Sequence, residues 1–189
     1  VPVFDFLTGK RAKEGIVMQL HPDEPLIIEG IHALNPMLLN DDIDRDKLFR
    51  VYVSALTTLN IDDHNRIHTT DARLLRRLVR DYETRGASME HTLSMWPSVR
   101  RGEEKWIFPY QENADALFNT TLVYEVSVLK KYVYPLLQEV PKESPCYAAA
   151  RDITKVLNYF LDADGIEDEI PPTSILREFI GGCTFYRKD

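Results

Sequence analysis

Short apolar runs alternate along this chain with longer segments of helical periodicity, and this alternation limits the possible folds more than any other feature. Runs rich in β-branched and aromatic side chains predict strands at residues 1–6, 15–20, 26–30, 48–54 and 114–118. Helical spacing of apolar residues predicts helices at residues 69–85, from 88 onward, and at 123–139, 147–161 and 174–180. Strands that alternate with helices predict an α/β layered fold. The run at 26–28 is apolar throughout, which is typical of a strand buried on both faces of a parallel sheet.

The segment 69–85 has the strongest helical pattern in the chain. Its expected buried face is formed by Leu74, Leu75, Leu78, Val79 and Tyr82. Thr70 or Asp71 can cap the start, and Gly86 stands where a left-handed residue commonly ends a helix. The next helix is expected to begin near Ser88, and Pro97 is expected to end or kink it. We expect no internal repeat.

The opposite face of the same segment carries Arg73, Arg76, Arg77 and Arg80. Arg77 can pair with Asp81, and Arg80 can pair with Glu83, whereas the other two arginines have no acidic residue three or four positions away. One interpretation is a solvated charged face. The other is an anion site, because guanidinium groups match phosphate oxygens and neutralise charge during phosphoryl transfer. Spacing alone does not choose between them.

Glu29 closes the predicted strand at 26–30, and Gly30 follows it. Ligands of open α/β sheets bind beyond the carboxyl ends of the strands, and a carboxylate there can hold Mg²⁺ beside a triphosphate. A plain surface acid is the alternative. His64 and His68 lie four residues apart, but no third ligand follows at a recognised spacing, so a polar loop is the preferred interpretation.

The overall composition excludes several classes of protein. With 44% apolar residues in 189, the chain can bury a sizeable core. A net charge of −7 argues against a general nucleic-acid or membrane-surface binder, since such proteins need a basic face. No apolar run reaches the roughly 18 residues that span a bilayer. Cys146 and Cys183 have no CxxC or histidine neighbours and predict reduced thiols in a cytoplasmic protein.

Several segments together resemble the uridine kinase/phosphoribulokinase family of P-loop kinases over roughly residues 1 to 139. The segments are Pro2–Phe6, Ile28–Ile31, Arg73–Gly86, Pro109 and Ala114–Asp115. The resemblance implies a P-loop NTPase-like three-layer αβα fold with a parallel sheet, in which the first βαβ unit is missing. It also implies a kinase core at residues 1–140 followed by a helical extension at 141–189, and the use of ATP and Mg²⁺.

The resemblance assigns roles to individual residues. Glu29 would help to hold the magnesium ion. The phosphate-facing residues of the arginine segment would be Arg77, Arg80 and Arg85, with Arg73 and Arg76 in the same substrate-binding stretch. The acceptor pocket would include Phe4, Asp5 and Phe6. His32 is similar to the histidine that phosphoribulokinases carry after this glutamate. ATP and a small-molecule acceptor, a nucleoside or a sugar-like molecule, are the expected partners, and association into a homo-oligomer stays open.

The sequence departs from the family in two respects. Gly9, Ala87 and Met95 stand where uridine kinases use a histidine, an arginine and a glutamine to read the pyrimidine, so we expect poor discrimination for that base. No GxxxxGK(S/T) motif occurs, so ATP lacks its usual cradle of backbone amides. We therefore expect a fragment of a longer kinase that is inactive alone. The alternatives are a phosphoribulokinase-like sugar-phosphate kinase and a non-catalytic nucleotide-binding or regulatory domain.

Overall fold

A computed structural model describes residues 1–5, 10–38 and 43–185. The predicted site residue Phe6 and the substituted position Gly9 lie outside the described residues. The chain divides into two compact units, Val1–Ala33 and Leu34–Asp189. Each unit is described by itself below.

The described residues of the first unit include one short antiparallel pair of strands. Strand β1 (Phe4–Asp5) pairs with strand β2 (Lys10–Arg11), with Phe4 opposite Arg11. Further along, the backbone of Ile16 exchanges two hydrogen bonds with Val1, at 2.6 and 2.8 Å. The predicted strand at 1–6 is thus confirmed in part.

The two other strands predicted in this unit, at 15–20 and 26–30, are not formed. Residues 26–28 are exposed, Ile27 by 88%, and their backbone forms no hydrogen bond to another strand within the described part of the chain. An apolar, β-branched run favours a strand only when a neighbour supplies the ladder of hydrogen bonds. The prediction of a buried strand ending at Glu29 is therefore wrong for this structure.

The second unit contains a small parallel sheet. Strand β3 (Val51–Ser54) pairs with strand β4 (Ala116–Asn119), and Val51 lies opposite Ala116. Alternate residues of β3 face opposite sides, so that Tyr52 is buried while Val51 is exposed. The predicted strands at 48–54 and 114–118 are confirmed with shifted ends. The fold is therefore α/β with a small parallel sheet.

Five α-helices lie in the described part of this unit. They are α1 (Thr69–Arg85), α2 (Met89–Trp106), α3 (Glu125–Gln138), α4 (Tyr147–Leu157) and α5 (Arg177–Ile180). Short 3₁₀ turns lie at Pro36–Leu38, Arg45–Lys47, Phe108–Asn113 and Glu167–Glu169.

Helix α1 has the predicted bounds and α2 does not. Gly86 ends α1 with φ of 63°, and its amide donates to the Asp81 carbonyl. The residue that caps the start is His68, without a side-chain bond, so the prediction of Thr70 or Asp71 is wrong. Helix α2 begins next to Ser88 as predicted, and Ser88 caps it by accepting a hydrogen bond from the His91 amide at 3.1 Å. The helix does not end at Pro97.

Proline removes one helical hydrogen bond. Helix α2 continues beyond Pro97 and is anchored on both sides of it, by buried Leu93 before the proline and buried Glu103 after it. Helix α4, in contrast, ends four residues before its predicted limit, because residues 158–160 form a turn.

The helices pack around one apolar core. Its fully buried members include Leu75, Leu78, Leu129, Leu157 and Leu176. Three of these belong to α1 and α3, and two belong to the segment after residue 140, so this C-terminal extension contributes directly to the core. The boundary at residue 140 stays a prediction. No helix in the described ranges combines the length and the apolar character needed to cross a bilayer.

The C-terminal extension contains a structural repeat, contrary to the expectation from sequence. Residues 140–150 and 170–180 share a buried Val or Ile, a Pro, a Ser three positions later and a buried Cys or Leu two positions after it. In both copies the serine amide donates to the proline carbonyl, at 3.0 and 2.9 Å. The serine hydroxyl then accepts from the amide of Cys146 or Leu176, at 3.2 and 3.3 Å. Only the Pro and Ser are identical in the two copies, which is why the sequence did not reveal the repeat.

Candidate functional site

Helix α1 separates an apolar face from a cationic face. Leu74, Leu75, Leu78 and Val79 are buried in the core as predicted, whereas Tyr82 is 43% exposed, so the prediction that it belongs to the buried face is wrong. The polar arc carries the arginines. The helix thereby fixes where each guanidinium group can reach. The predicted set of arginines divides into two groups with different surroundings.

Arg77, Arg80 and Arg85 converge on the carboxylate of Asp81. The nitrogen–oxygen distances are 3.1 Å from Arg77 Nε to Oδ2, 3.3 Å from Arg80 Nη2 to Oδ1, and 3.0 Å from Arg85 Nη1 to Oδ1. Asp81 is only 4% exposed, whereas the three arginine side chains are partly exposed, Arg85 by 55%. The predicted pair of Arg77 with Asp81 is confirmed, while Arg80 pairs with Asp81 and not with Glu83.

The three arginines are not saturated by this carboxylate. Arg77 Nε is buried and lies 3.1 Å from the carboxylate, but its N–H is not directed well enough to form a hydrogen bond. Three positive charges against one negative charge leave two positive charges in excess. The cluster therefore has both free donor capacity and net charge for an anion.

A cavity of about 220 Å³ opens beside this cluster, between the end of α1 and the start of α2. It is lined by Arg77, Asp81, Arg85, Ala87, His91, Thr92 and Met95. Ala87 and Met95 thus line the same cavity. They are two of the three positions at which the chain lacks the pyrimidine-reading residues described above. The lining combines the guanidinium groups of Arg77 and Arg85 with Asp81, with the polar side chains of His91 and Thr92, and with two residues that offer no side-chain hydrogen bond.

Arg76 has a different environment from its neighbour Arg77. It is 8% exposed, and its guanidinium group donates to the Thr120 hydroxyl at 3.0 Å, to the Thr120 carbonyl at 2.7 Å and to Glu125. Its cationic carbon lies 5.7 Å from the centre of the Phe179 ring. The guanidinium group of Arg76 is therefore committed to joining α1 to α3 and the C-terminal extension.

Arg73 is likewise held by a neighbouring helix. Its guanidinium nitrogen lies 2.5 Å from Glu103 of α2, and Arg100 holds the same buried carboxylate at 2.7 Å. Sequence spacing correctly showed that Arg73 and Arg76 lack local acidic partners. Their partners, Glu103 and Glu125, are distant in the sequence, and the only hint was an acidic residue within each otherwise buried helix face.

The remaining predicted site residues lie in the first unit. Asp5 and Phe4 belong to β1, and Asp5 is opposite Lys10 in the register. Glu29 and His32 are both exposed. Nowhere in the described ranges do three or more His, Cys, Asp or Glu side chains come together as a metal site.

Mg²⁺ suits a single exposed carboxylate of this kind. The ion is commonly held by one or two carboxylates together with phosphate oxygens and water. Glu29 offers a hard oxygen ligand with no competing ion pair among the described residues. The donor set therefore fits magnesium brought in with a nucleotide, and not a site built from protein ligands alone.

The segment around His64 forms the expected polar loop. Residues Asn60 and Arg66 make an isolated bridge, and Asp62 Oδ1 accepts from the amides of His64 and Asn65 at 2.8 and 2.7 Å. Hydrogen bonds from the Asn65 side chain, followed by those from the two amides, lower the pKa of Asp62. The carboxylate oxygens of Asp62 are thus used to close the loop, beside a polar cavity of about 370 Å³.

Comparison with known proteins gives one consistent result. A model of the phosphoribulokinase / uridine kinase family matches residues 1–127. The chain is 32% identical over 118 residues to a uridine kinase of Staphylococcus epidermidis, which covers 62% of this chain and 48% of that protein.

Two other relatives give similar values. The chain is 32% identical over 118 residues to a uridine kinase of Staphylococcus carnosus, covering 62% of this chain and 48% of that protein. It is 32% identical over 117 residues to a uridine kinase of Chlamydia pneumoniae, covering 61% and 45%. The chain spans about half the length of the curated relatives it matches. No solved structure matches it.

Proposed function

The chain belongs to the phosphoribulokinase / uridine kinase family, and we propose that it serves in the transfer of the γ-phosphoryl group of ATP to a hydroxyl of a nucleoside or sugar-like acceptor. We further propose that the whole protein has the three-layer αβα fold of P-loop kinases. The small parallel sheet and the packed helices are compatible with that fold.

The observation that carries the proposal is the convergence of Arg77, Arg80 and Arg85 on one buried carboxylate beside a cavity. On an ordinary solvated face the arginines would pair with an exposed acid, but the carboxylate that these three arginines share is only 4% exposed. Here they are gathered, with two positive charges in excess. Such a cluster can hold a terminal phosphate, which carries nearly two negative charges at neutral pH.

Each residue receives a role under this proposal. Arg77, Arg80 and Arg85 bind the transferring phosphoryl group and stabilise its charge, Glu29 holds Mg²⁺, and Asp5 lies at the acceptor pocket. Bound magnesium would neutralise phosphate charge. Arg73 and Arg76 are left out of the phosphate site, because each is engaged by a buried glutamate. Catalysis then depends on positioning and electrostatics.

The residues that would bind the acceptor are less clearly defined than those that would bind the phosphate. Ala87 and Met95 line the cavity without offering side-chain hydrogen bonds to a base. These two positions therefore supply no selectivity for a pyrimidine, and the polar side chains of the lining outside the arginine cluster are His91 and Thr92. This favours, as a second candidate, a sugar-like acceptor of the phosphoribulokinase type, for which His32 would be a substrate-binding residue.

Alanine substitutions in the full-length protein test the phosphate role. Arg77→Ala and Arg80→Ala should each lower kcat by about 10²–10³-fold, the usual effect of losing one donor to developing charge. The KM for the acceptor should change little. Arg101→Ala is the matched control, because Arg101 is exposed on α2 and pairs with no described acidic residue.

Normal turnover in the arginine variants would contradict the proposal. If Arg77→Ala and Arg80→Ala turn over ATP as fast as the Arg101→Ala control, the arginines do not act on phosphate. A panel of nucleosides and sugar phosphates, assayed with the same protein, identifies the acceptor. ATP hydrolysis that never depends on any acceptor would favour a non-catalytic, nucleotide-binding role instead.

A further inference from the structure

Asp81 is held more firmly than any of the three arginines around it. Its carboxylate is buried, with Oδ2 facing Arg77 and Oδ1 shared by Arg80 and Arg85. Its backbone carbonyl accepts hydrogen bonds from the amides of both Gly86 and Ala87, which close the end of α1. Main chain and side chain of this residue are therefore both fixed.

The arginines alone would have no reason to converge. Three guanidinium groups on adjacent turns of one helix repel one another, and each has a long, flexible stem. A single anion between them offsets the repulsion and limits the rotamers each side chain can adopt. Arg85 is 55% exposed, so packing alone does not fix its position, and the shared carboxylate is the group that all three arginines have in common.

We propose that Asp81 is a positioning residue, which arranges Arg77, Arg80 and Arg85 as a preformed receptor for a terminal phosphate group. This inference rests on the proposed function. It adds that the carboxylate leaves two positive charges, matched to a dianionic group, and that it keeps the guanidinium groups together before any ligand arrives. Asp81 acts through the arginines and need not touch the phosphate.

The variant Asp81→Asn keeps the shape of the side chain and removes its negative charge. It therefore tests whether that charge positions the three arginines. The order of the arginine side chains is read from ¹⁵N relaxation of their Nε–H groups in the 189-residue chain. We expect the order parameters of the three arginines to fall in Asp81→Asn while the circular dichroism spectrum stays that of the wild type. Asp71→Asn is the control, since it removes a charge from the same helix ten residues away, about 15 Å along the axis.

Binding and turnover supply the second readout. The cluster in Asp81→Asn has three positive charges in excess, so inorganic tripolyphosphate should bind at least as tightly at low salt, with a steeper loss of affinity as salt rises. In the full-length protein kcat should nevertheless fall about tenfold, since orientation contributes to the rate. Asp81→Glu, which keeps the charge, should recover most of the turnover.

Two results would overturn the inference. One is unchanged order of the three arginines in Asp81→Asn. The other is a parallel loss of tripolyphosphate affinity and turnover in both Asp81→Asn and Asp81→Glu, which would show a merely structural role. Either result can occur while Arg77→Ala and Arg80→Ala still lower kcat as expected, so the inference can fail although the proposed function stands. If the arginine variants turn over normally, the proposed function itself fails.

Discussion

Arg76 and Arg77 are adjacent in the sequence, yet their guanidinium groups lie in different environments. The first is buried against Glu125, and the second borders a cavity. The difference follows from the helical rotation of about 100° per residue, which directs Arg76 toward α3 and Arg77 toward α2. A run of arginines on one helix therefore contains both structural and candidate functional members.

The ion pair of Arg76 with Glu125 gives a prediction about stability. Each single variant, Arg76→Leu or Glu125→Leu, leaves an unpaired buried charge and should lower the free energy of unfolding by about 3–5 kcal/mol. The double variant should lose much less, since both charges are gone. Urea unfolding of the 189-residue chain measures all three.

The control for this pair is Arg151→Leu, because Arg151 is an exposed arginine of α4. Its effect should stay within about 0.5 kcal/mol, as is usual for surface positions. If the double variant loses as much free energy of unfolding as the two single variants together, the two buried charges are not coupled and the prediction is wrong.

The ion-pair partners of Arg73 and Arg76 could not be predicted from the sequence, and the reason is physical. Arg73 and Arg76 were correctly seen to lack local partners, but Glu103 and Glu125 lie far along the chain. Local spacing contains no information on which helices pack together. The convergence on Asp81, in contrast, is local to α1, and the pairing with Arg77 was predictable.

Among the elements, α1 could be predicted to its last residue and the strand at 26–30 could not. The apolar stripe of α1 and the glycine after it are properties of one continuous segment, since helical hydrogen bonds are internal. A strand is completed only by a partner, and Leu26–Ile28 has none within the described ranges. Elements whose backbone hydrogen bonds all lie within one segment are thus the ones that the sequence predicts best.

The end of α1 gives a prediction at this scale, with a matched pair of glycines. Gly86 has φ of 63°, and a Cβ there would meet nothing within 4 Å, so Gly86→Ala suffers from backbone conformation alone. It should lower the free energy of unfolding by about 1–2 kcal/mol. Gly102 lies inside α2, also with open space around a Cβ.

Gly102→Ala should therefore raise the free energy of unfolding by about 0.5–1 kcal/mol, because alanine restricts the unfolded chain and favours the helix. Thermal or urea unfolding measures both variants under the same conditions. A Gly86→Ala variant as stable as the wild type would be inconsistent with a left-handed end of α1.

At the scale of the whole molecule, the C-terminal extension is joined to the core by charge as well as by apolar packing. Lys130 of α3 donates to the Phe160 carbonyl at 2.8 Å, and Lys131 donates to Glu167 at 2.5 Å. Arg177 in turn donates to the carbonyls of Glu167 and Ile170. The extension is therefore expected to unfold together with α1 and α3.

The pair of Lys131 with Glu167 predicts how this attachment depends on pH. The hydrogen bond from Lys131 lowers the pKa of Glu167 below its ordinary value of 4.5. A carboxyl group with a lowered pKa in the folded state stabilises the fold at neutral pH, and this contribution is lost as the pH falls below that value. Glu167→Gln should therefore destabilise the chain at pH 7, by an amount that shrinks toward acid pH.

Urea midpoints of the wild type and Glu167→Gln, taken at several pH values, test this dependence. The control is Glu169→Gln, in the same turn, because Glu169 is exposed and forms no ion pair with a described residue. A difference between the wild type and Glu167→Gln that grows on acidification would have the wrong sign for the proposed pair.

The two copies of the turn in residues 140–150 and 170–180 fasten the extension to different helices. Cys146 of the first copy contacts the Glu90 carbonyl in α2, whereas Phe179 of the second lies against Arg76 in α1. These are the two helices that border the cavity. A substitution that removes one of these contacts would therefore detach the extension from one helix of the cavity and leave its contact with the other helix in place.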